Sequence, residues 1–306
     1  MLTYNAAAFV EEAIESVLAQ VTDFPVELVI GDDCSTDGTQ DLLRDYAARY
    51  PRGIRLHLHP THGPGVAGRL NNMHNLADCR GRYIAILDGD DYWTDAGKLA
   101  AQAGFLETHP AHSSCSADGY VVVDGERVRT RLGAHARLVG RDMTLDYYAA
   151  YDVTAMIPSS LMFRRAWLLP LPPWFEEVVV ADQYIKLMLL KRGPCRFLPG
   201  LTHAYRHHGD NFTATHLADA RGALAEHDDG VRMRRLLPWL PYSDRIERRQ
   251  LQRLRYAAAV GLRERRWRLL GAVLRRLPRY VRRRPLRWVW RAFFAPAGRP
   301  GRPVAS

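Results

Sequence analysis

The chain is 306 residues long, with 47% hydrophobic and 25% charged residues, a globular composition that excludes a wholly disordered, collagenous or coiled-coil protein. Its apolar runs are short, residues 187–190 for example, and fall far short of the roughly 18–20 residues that cross a bilayer. The net charge of +10 is unevenly spread: residues 232–306 hold 22 arginines, no lysine and only Asp244, Glu247 and Glu264 as acids, whereas residues 1–231 hold 21 basic and 30 acidic side chains.

In chain order, residues 6–20 set Phe9, Val10, Ala13, Ile14, Val17 and Leu18 at helical spacing, with Asn5 as the expected N-cap. A buried strand over 26–30 ends at Gly31-Asp32-Asp33, and Asp37-Gly38-Thr39 opens a second helix running to residue 50. A strand at 54–58 follows, then a break at Gly63-Pro64-Gly65 and a helix to residue 77. The strand at 83–87 ends at Asp88-Gly89-Asp90-Asp91. Strands alternating with helices predict an α/β fold with a largely parallel sheet covered on both faces. Further on, strands are expected at 120–123, 159–163, 196–198 and 202–205, and a helix at 182–192 stopped by Gly193-Pro194. From about residue 215 the pattern is helical and arginine-rich, broken at Pro238, Pro241, Pro278 and Pro285, and residues 296–306 read as a disordered tail. The expected organisation is an α/β domain at 1–215, a helical basic extension at 216–295 and that tail. The start lacks a basic segment and apolar block, so no secretory signal is expected. Four cysteines without Cys-x-x-Cys spacing fit a reducing compartment.

Ligands of open α/β sheets bind beyond the carboxyl ends of the strands, and acidic clusters stand at two such ends. In Asp32-Asp33-Cys34-Ser35-Thr36-Asp37 a carboxylate can accept hydrogen bonds from a nucleobase or a ribose, although Asp37 or Ser35 would equally cap a helix. Asp88-Gly89-Asp90-Asp91 sets carboxylates at i and i+2 around a glycine, a pattern that can hold one hard divalent cation or simply form a turn. Carboxylates crowded without a basic neighbour favour the cation, which a departing diphosphate requires. Asp182, at a helix start, can take a proton from a hydroxyl or cap the helix. Tyr205-Arg206-His207-His208-Gly209-Asp210-Asn211 offers a histidine to a metal or a phosphate.

Taken in order, Thr3-Tyr4-Asn5, Ile30-Gly31-Asp32-Asp33-Cys34-Ser35-Thr36-Asp37-Gly38-Thr39, Gly81-Arg82-Tyr83-Ile84-Ala85-Ile86-Leu87-Asp88-Gly89-Asp90-Asp91, Ile157-Pro158-Ser159-Ser160-Leu161-Met162-Phe163-Arg164 and Tyr205-Arg206-His207-His208-Gly209 resemble glycosyltransferase family 2 in its bacterial members, over residues 1–215. The resemblance implies a GT-A fold, a mixed, mostly parallel Rossmann-like sheet flanked by helices, and an inverting, metal-dependent transfer from a nucleotide-sugar donor, with Mn²⁺ or Mg²⁺ as cofactor. It also implies that Thr3, Tyr4 and Asn5 lie along the nucleoside, that Asp32 or Asp33 reads the base, that Arg69 meets the diphosphate, and that Asp88 touches ribose or metal. Asp90 would hold the metal, His208 would be its third ligand and Asp182 the catalytic base. Two departures stand out. Ala181-Asp182 replaces the family's Glu-Asp, and only Met1 and Leu2 precede Thr-Tyr-Asn, so the first strand is expected to be severely shortened or the start placed too late.

The basic extension lies outside the resemblance. Trp288, Trp290, Phe293 and Phe294 interleave with Arg287 and Arg291, which suits an anionic membrane surface. A charged helix packed on the body is the plainer alternative. No nucleic-acid motif is present, and none is expected as a partner. The reading is a cytoplasmic glycosyltransferase held at the inner face of the membrane, acting on a glycan or lipid-linked acceptor in surface polysaccharide synthesis. Its rival is a non-catalytic sugar-nucleotide-binding or scaffold protein, degenerate at Ala181 and at the first strand. A nucleotidyltransferase would carry a glycine-rich phosphate loop near its start, and this chain has none.

Overall fold

The computed structural model describes residues 1–61, 69–130, 138–151, 156–178, 180–208, 220–240, 244–282 and 285–294. The expected break at 63–65, Asp210, Asn211 and the tail at 296–306 lie outside them. The chain divides into two compact units, residues 1–145, 153–177 and 181–207 in the first and 146–152, 178–180 and 208–306 in the second.

Strands β1 (Leu2–Thr3), β2 (Leu28–Asp32) and β3 (Ile54–Leu58) form a parallel sheet in the order β1-β2-β3. Strands β4 (Tyr83–Ala85), β5 (Tyr92–Trp93), β6 (Ser114–Val123), β7 (Glu126–Thr130), β8 (Asp142–Met143), β9 (Met162–Arg164) and β10 (Cys195–His207) form a second sheet in the order β4-β9-β6-β10-β5, with β7 beside β6 and β8 beside β10. In it β6 and β10 run parallel and the remaining pairs antiparallel. Helices α1 (Val10–Leu18), α2 (Thr39–Arg49), α3 (Arg69–Asp78), α4 (Lys98–Thr108), α5 (Leu145–Tyr151), α6 (Arg165–Leu168) and α7 (Ala181–Arg192) intersperse the strands.

Strand alternation assigns the two faces of β2. Leu28 and Ile30 join Val10, Ala13, Ile14 and Val17 of α1 and Leu43 and Tyr46 of α2 in one apolar core. Gly31 points the other way, toward α3, where Asn71 donates to the Gly31 carbonyl at 2.7 Å and Asn75 to that of Met1 at 2.7 Å. A Cβ on Gly31 would stand 1.7 Å from Asn71 Oδ1, so no other residue admits α3 this closely. Helix α1 begins later than the apolar spacing suggests, after Phe9 rather than Asn5. Asn5 instead adopts a left-handed φ of 47° and accepts the Thr36 amide at 2.9 Å, tying the first motif to the second. The two short strands expected at 196–198 and 202–205 are one strand, β10, because a register irregularity around Gly200 (φ 105°) absorbs Pro199 and lets the ladder with β6 resume.

The second unit is helical, with Ala220–Leu236, Asp244–Arg263, Trp267–Arg276, Pro278–Val281 and Leu286–Phe294. Leu224, Leu251, Leu254, Ala257, Val260, Val273, Tyr280 and Val289 form its own core. Through that core runs a polar chain: Arg276 donates to Asp228 at 2.7 Å, Asp228 meets His227 Nδ1 at 3.0 Å, and His227 Nε2 meets the Tyr280 hydroxyl at 2.8 Å. The Arg276 bonds, with His227 beside them, hold the Asp228 carboxyl well below the usual range against the effect of burial.

Candidate active site

Three chain segments meet at the carboxyl ends of the parallel strands. Leu2 pairs with Gly31 and Thr3 with Asp32 on one side of β1. On its other side Leu2 makes an isolated parallel bridge to Asp88, with the Gly89 amide donating to the Leu2 carbonyl at 2.7 Å. A Cβ on Gly89 would lie 2.5 Å from Thr3 Cγ2, so the glycine between the two acids permits this approach. The Thr-Tyr-Asn, Asp-Asp and Asp-Gly-Asp motifs are thereby laid side by side.

Both acids of the second motif are buried. Asp32 is fully buried, and both its oxygens are engaged inside the protein. Oδ1 accepts the Ser35 amide at 2.9 Å and Gln40 Nε2 at 2.7 Å, and Oδ2 accepts the Thr3 hydroxyl at 3.0 Å and the Ser35 hydroxyl. Asp37 accepts the Thr39 amide and hydroxyl at 3.1 and 2.6 Å and the Ala7 amide at 2.9 Å, so it ties the start of α2 to the residues before α1. Asp33 is also buried, and its amide donates to the Thr3 carbonyl at 3.0 Å.

In the third motif the Asp88 carboxyl is pushed up to about 7, first by burial and then by the charges of Asp90 and Asp182, against the opposing pull of the Met1 ammonium and Lys186. Asp91 is pushed well above its ordinary range, by burial first and then by Asp90 and Asp88. Its oxygens accept the Ser159 hydroxyl and, at 3.0 Å, the Arg206 amide. Asp91 therefore anchors the loop inward. Arg206 braces the same loop from the end of β10. It donates to the Asp90 carbonyl at 2.7 Å, pairs with Glu12, and lies 5.1 and 4.5 Å from the ring centres of Phe9 and Tyr92.

Asp182 stands in the first turn of α7 and pairs with Lys186 one turn on at 2.5 Å; Lys186 is buried and Asp182 half-exposed. The structure thus brings Thr3, Asp32, Asp33, Asp88, Asp90 and Asp182 into one region of the first unit. Tyr4 and Asn5 are exposed at its edge. Arg69 opens α3, and its side chain lies outside the described residues. His208 belongs to the second unit. Among the described residues no three His, Cys, Asp or Glu side chains are arranged so that together they could hold one metal ion. The chemistry of Asp88 and Asp90 nonetheless fits a divalent cation: two hard oxygen donors crowd together, and burial, with the neighbouring like charges added to it, drives Asp88 toward protonation, a penalty that a cation would offset.

Lys186 and Arg206 escaped the motif reading. Arg206 sits inside the Tyr-Arg-x-His pattern, but its partners are more than 110 residues away in sequence. Lys186 could have been found from its i+4 spacing to Asp182, the separation of neighbours on one helix face.

The model of the family described as Glycosyl transferase family 2 matches residues 1–169. An uncharacterized protein of Mycobacterium tuberculosis is 31% identical over 225 residues, 72% of this chain and 61% of that protein, and one of Mycobacterium bovis matches equally. The chain therefore spans about three fifths of the length of these relatives. The putative teichuronic acid biosynthesis glycosyltransferase TuaG of Bacillus subtilis is 35% identical over 123 residues, 40% of this chain and 46% of TuaG. Among solved structures, S. aureus TarS with UDP-GlcNAc superposes with a TM-score of 0.53 at 17% identity, over 85% of this chain and 80% of that one. The mannosyltransferase PcManGT of Pyrobaculum calidifontis, with GDP-Man and Mn²⁺, gives 0.54 at 19% identity, over 94% of this chain and 76% of that one. These likenesses show a common fold, GT-A, which agrees with the strand topology above.

Proposed function

Since the chain belongs to glycosyl transferase family 2, we propose that it is an inverting glycosyltransferase. It moves a sugar from a nucleotide-sugar, a UDP-sugar in the first instance, to a hydroxyl of a glycan or lipid-linked acceptor in bacterial surface polysaccharide synthesis. The observation that carries the proposal is the convergence of Asp88, Asp90 and Asp182 beside the Thr3–Asp32 pair, close enough for Asp90 and Asp182 to raise the Asp88 carboxyl. The names of TuaG, TarS and PcManGT support the reaction class, the nucleotide-sugar donor and the use of a divalent ion.

In the proposed reaction Thr3, Tyr4 and Asn5 line the nucleoside. Asp32 or Asp33 reads the base, Asp32 while also accepting four hydrogen bonds from within the protein. Asp88 and Asp90 would hold Mn²⁺ or Mg²⁺, which when bound neutralises the diphosphate. Arg69, at the start of α3, adds positive charge toward the same group. Asp182, fixed by Lys186, accepts the proton of the acceptor hydroxyl as its oxygen bonds to the anomeric carbon. The bond from that carbon to the diphosphate breaks, its electrons leave with the nucleoside diphosphate, and the configuration inverts. The basic extension holds the enzyme at the anionic inner face of the cell membrane. Supporting this are the 22 arginines of residues 232–306 against only three acids.

Transfer assays with UDP-, GDP- and dTDP-sugars, with and without Mn²⁺, test the reading. Asp182→Asn and Asp90→Asn are expected to lower turnover by about 10²–10⁴-fold, the usual worth of a positioned acid or base, with unchanged far-UV circular dichroism. Near-wild-type turnover in Asp182→Asn would remove the base assignment. Donor binding without any transfer would favour the non-catalytic rival.

A further inference from the structure

We infer that the second unit docks on an anionic phospholipid bilayer through a recurring three-residue device in its last helices. The inference rests on the proposal that the extension meets a membrane, and names the face that does so. The triplets are Val273-Leu274-Arg275, Tyr280-Val281-Arg282 and Val289-Trp290-Arg291. In each, the first residue is buried in the unit's core, the second is an exposed apolar side chain and the third an exposed arginine. Trp267-Arg268 precedes them seven residues before Leu274-Arg275, with both side chains exposed. Trp267, Leu274, Val281 and Trp290 are 72, 64, 42 and 66% exposed, against 2, 3 and 7% for Val273, Tyr280 and Val289.

Helix geometry makes the first two triplets into one surface, and the third repeats the device on the following helix. Successive residues turn by about 100°, so anchoring the first of each triplet in the core leaves the apolar side chain and the guanidinium on the outer side. Leu277 keeps right-handed helical angles (φ −63°, ψ −39°) between Trp267–Arg276 and Pro278–Val281, so Pro278 opens the second segment without reversing the chain. Trp267, Leu274 and Val281 then recur every two turns, with Arg268, Arg275 and Arg282 beside them. Leu286, also exposed, stands one turn before Trp290. The sequence pointed to Trp288, Trp290, Phe293 and Phe294. Of these Trp290 is outward and Phe293 packs on the unit's own core, while the side chains of Trp288 and Phe294 lie outside the described residues.

Charge selects the occupant. Residues 265–294 contain 11 arginines and no acid. A bilayer interface presents phosphates at the depth where a tryptophan ring settles, so each apolar side chain and its neighbouring guanidinium are satisfied together.

The test is co-sedimentation of the full chain with vesicles of phosphatidylglycerol and phosphatidylcholine, and with phosphatidylcholine alone, coupled to quenching of tryptophan fluorescence by brominated lipid. Binding is expected to the anionic vesicles and to weaken with salt. The W267S/L274S/W290S variant is expected to lower partitioning about tenfold or more and to remove most of the quenching, with an unchanged thermal melt. R268Q/R275Q/R282Q, also at exposed positions, guards against a folding artefact and should weaken anionic binding similarly. Wild-type binding by both variants overturns this face while leaving the membrane reading of the extension intact. Absence of binding by the native chain overturns both. A native dimer that the first variant dissociates, without vesicle binding, reassigns the face to a second copy.

Discussion

Asp32 and Asp33 are adjacent, chemically identical and both buried, so substitution has to tell their duties apart. The four hydrogen bonds that Asp32 accepts are all internal, so Asp32→Asn would turn an amide toward donors and cost about 1–3 kcal/mol of stability. Asp33→Asn should weaken the stabilisation by UDP, read as ligand-induced thermal shift relative to the variant's own melting temperature. An undiminished shift in Asp33→Asn would give the base to Asp32. Asp88 makes a second residue-level prediction. Its folded carboxyl titrates at about 7 against an ordinary value of 3.8. Between those values the folded chain holds a proton that the unfolded chain has lost, so this group's stabilising effect fades as pH rises through the window. Asp88→Asn should therefore raise Tm at pH 8 by roughly 2–4 °C, the equivalent of ~1 kcal/mol in a chain of this size, leave it near native at pH 4, and abolish transfer. A lower Tm at pH 8 would refute the electrostatic crowding.

At the scale of elements, α4 opens on a fully buried lysine. Lys98 donates to Gln102 Oε1 at 2.7 Å and sits 4.2 Å from the Trp93 ring centre, and Gln102 in turn donates to the Ser160 carbonyl at 2.8 Å. Burial pulls the Lys98 ammonium down to about 7 from 10.5. Between these values the unfolded chain carries the proton and the folded chain does not, so this group's contribution to stability increases as pH rises across the window. Lys98→Met should flatten the slope of stability between pH 7 and 10 in urea titrations. An unaltered slope would mean that the ammonium keeps its proton in the folded chain. The same stretch explains why α4 carries little amphipathic signature in sequence: Lys98 and Gln102 occupy its inward face together with Leu99, Ala103 and Leu106.

For the molecule as a whole, the sequence was most informative where strand, acid and glycine occur together. The strand at 54–58 matches β3 residue for residue, and the segments ending at Asp32 and Asp88 converge as alternation of strands and helices suggests. What stayed hidden depends on contacts between distant residues. Nothing near Gly200 in sequence says that β6 will resume its ladder across it, and nothing near Arg206 names Asp90 and Glu12 as its partners.

That two-residue strand is the stitch between two sheets: Leu2 and Thr3 hold Gly31 and Asp32 on one edge and the Asp88–Gly89 turn on the other. Because the groups proposed to read the base and to face the diphosphate hang from opposite edges of one short thread, loosening it would shift both ends of a donor's footprint together. Grip on the nucleoside and grip on the phosphates should then fade in step across any series of substitutions at these two positions.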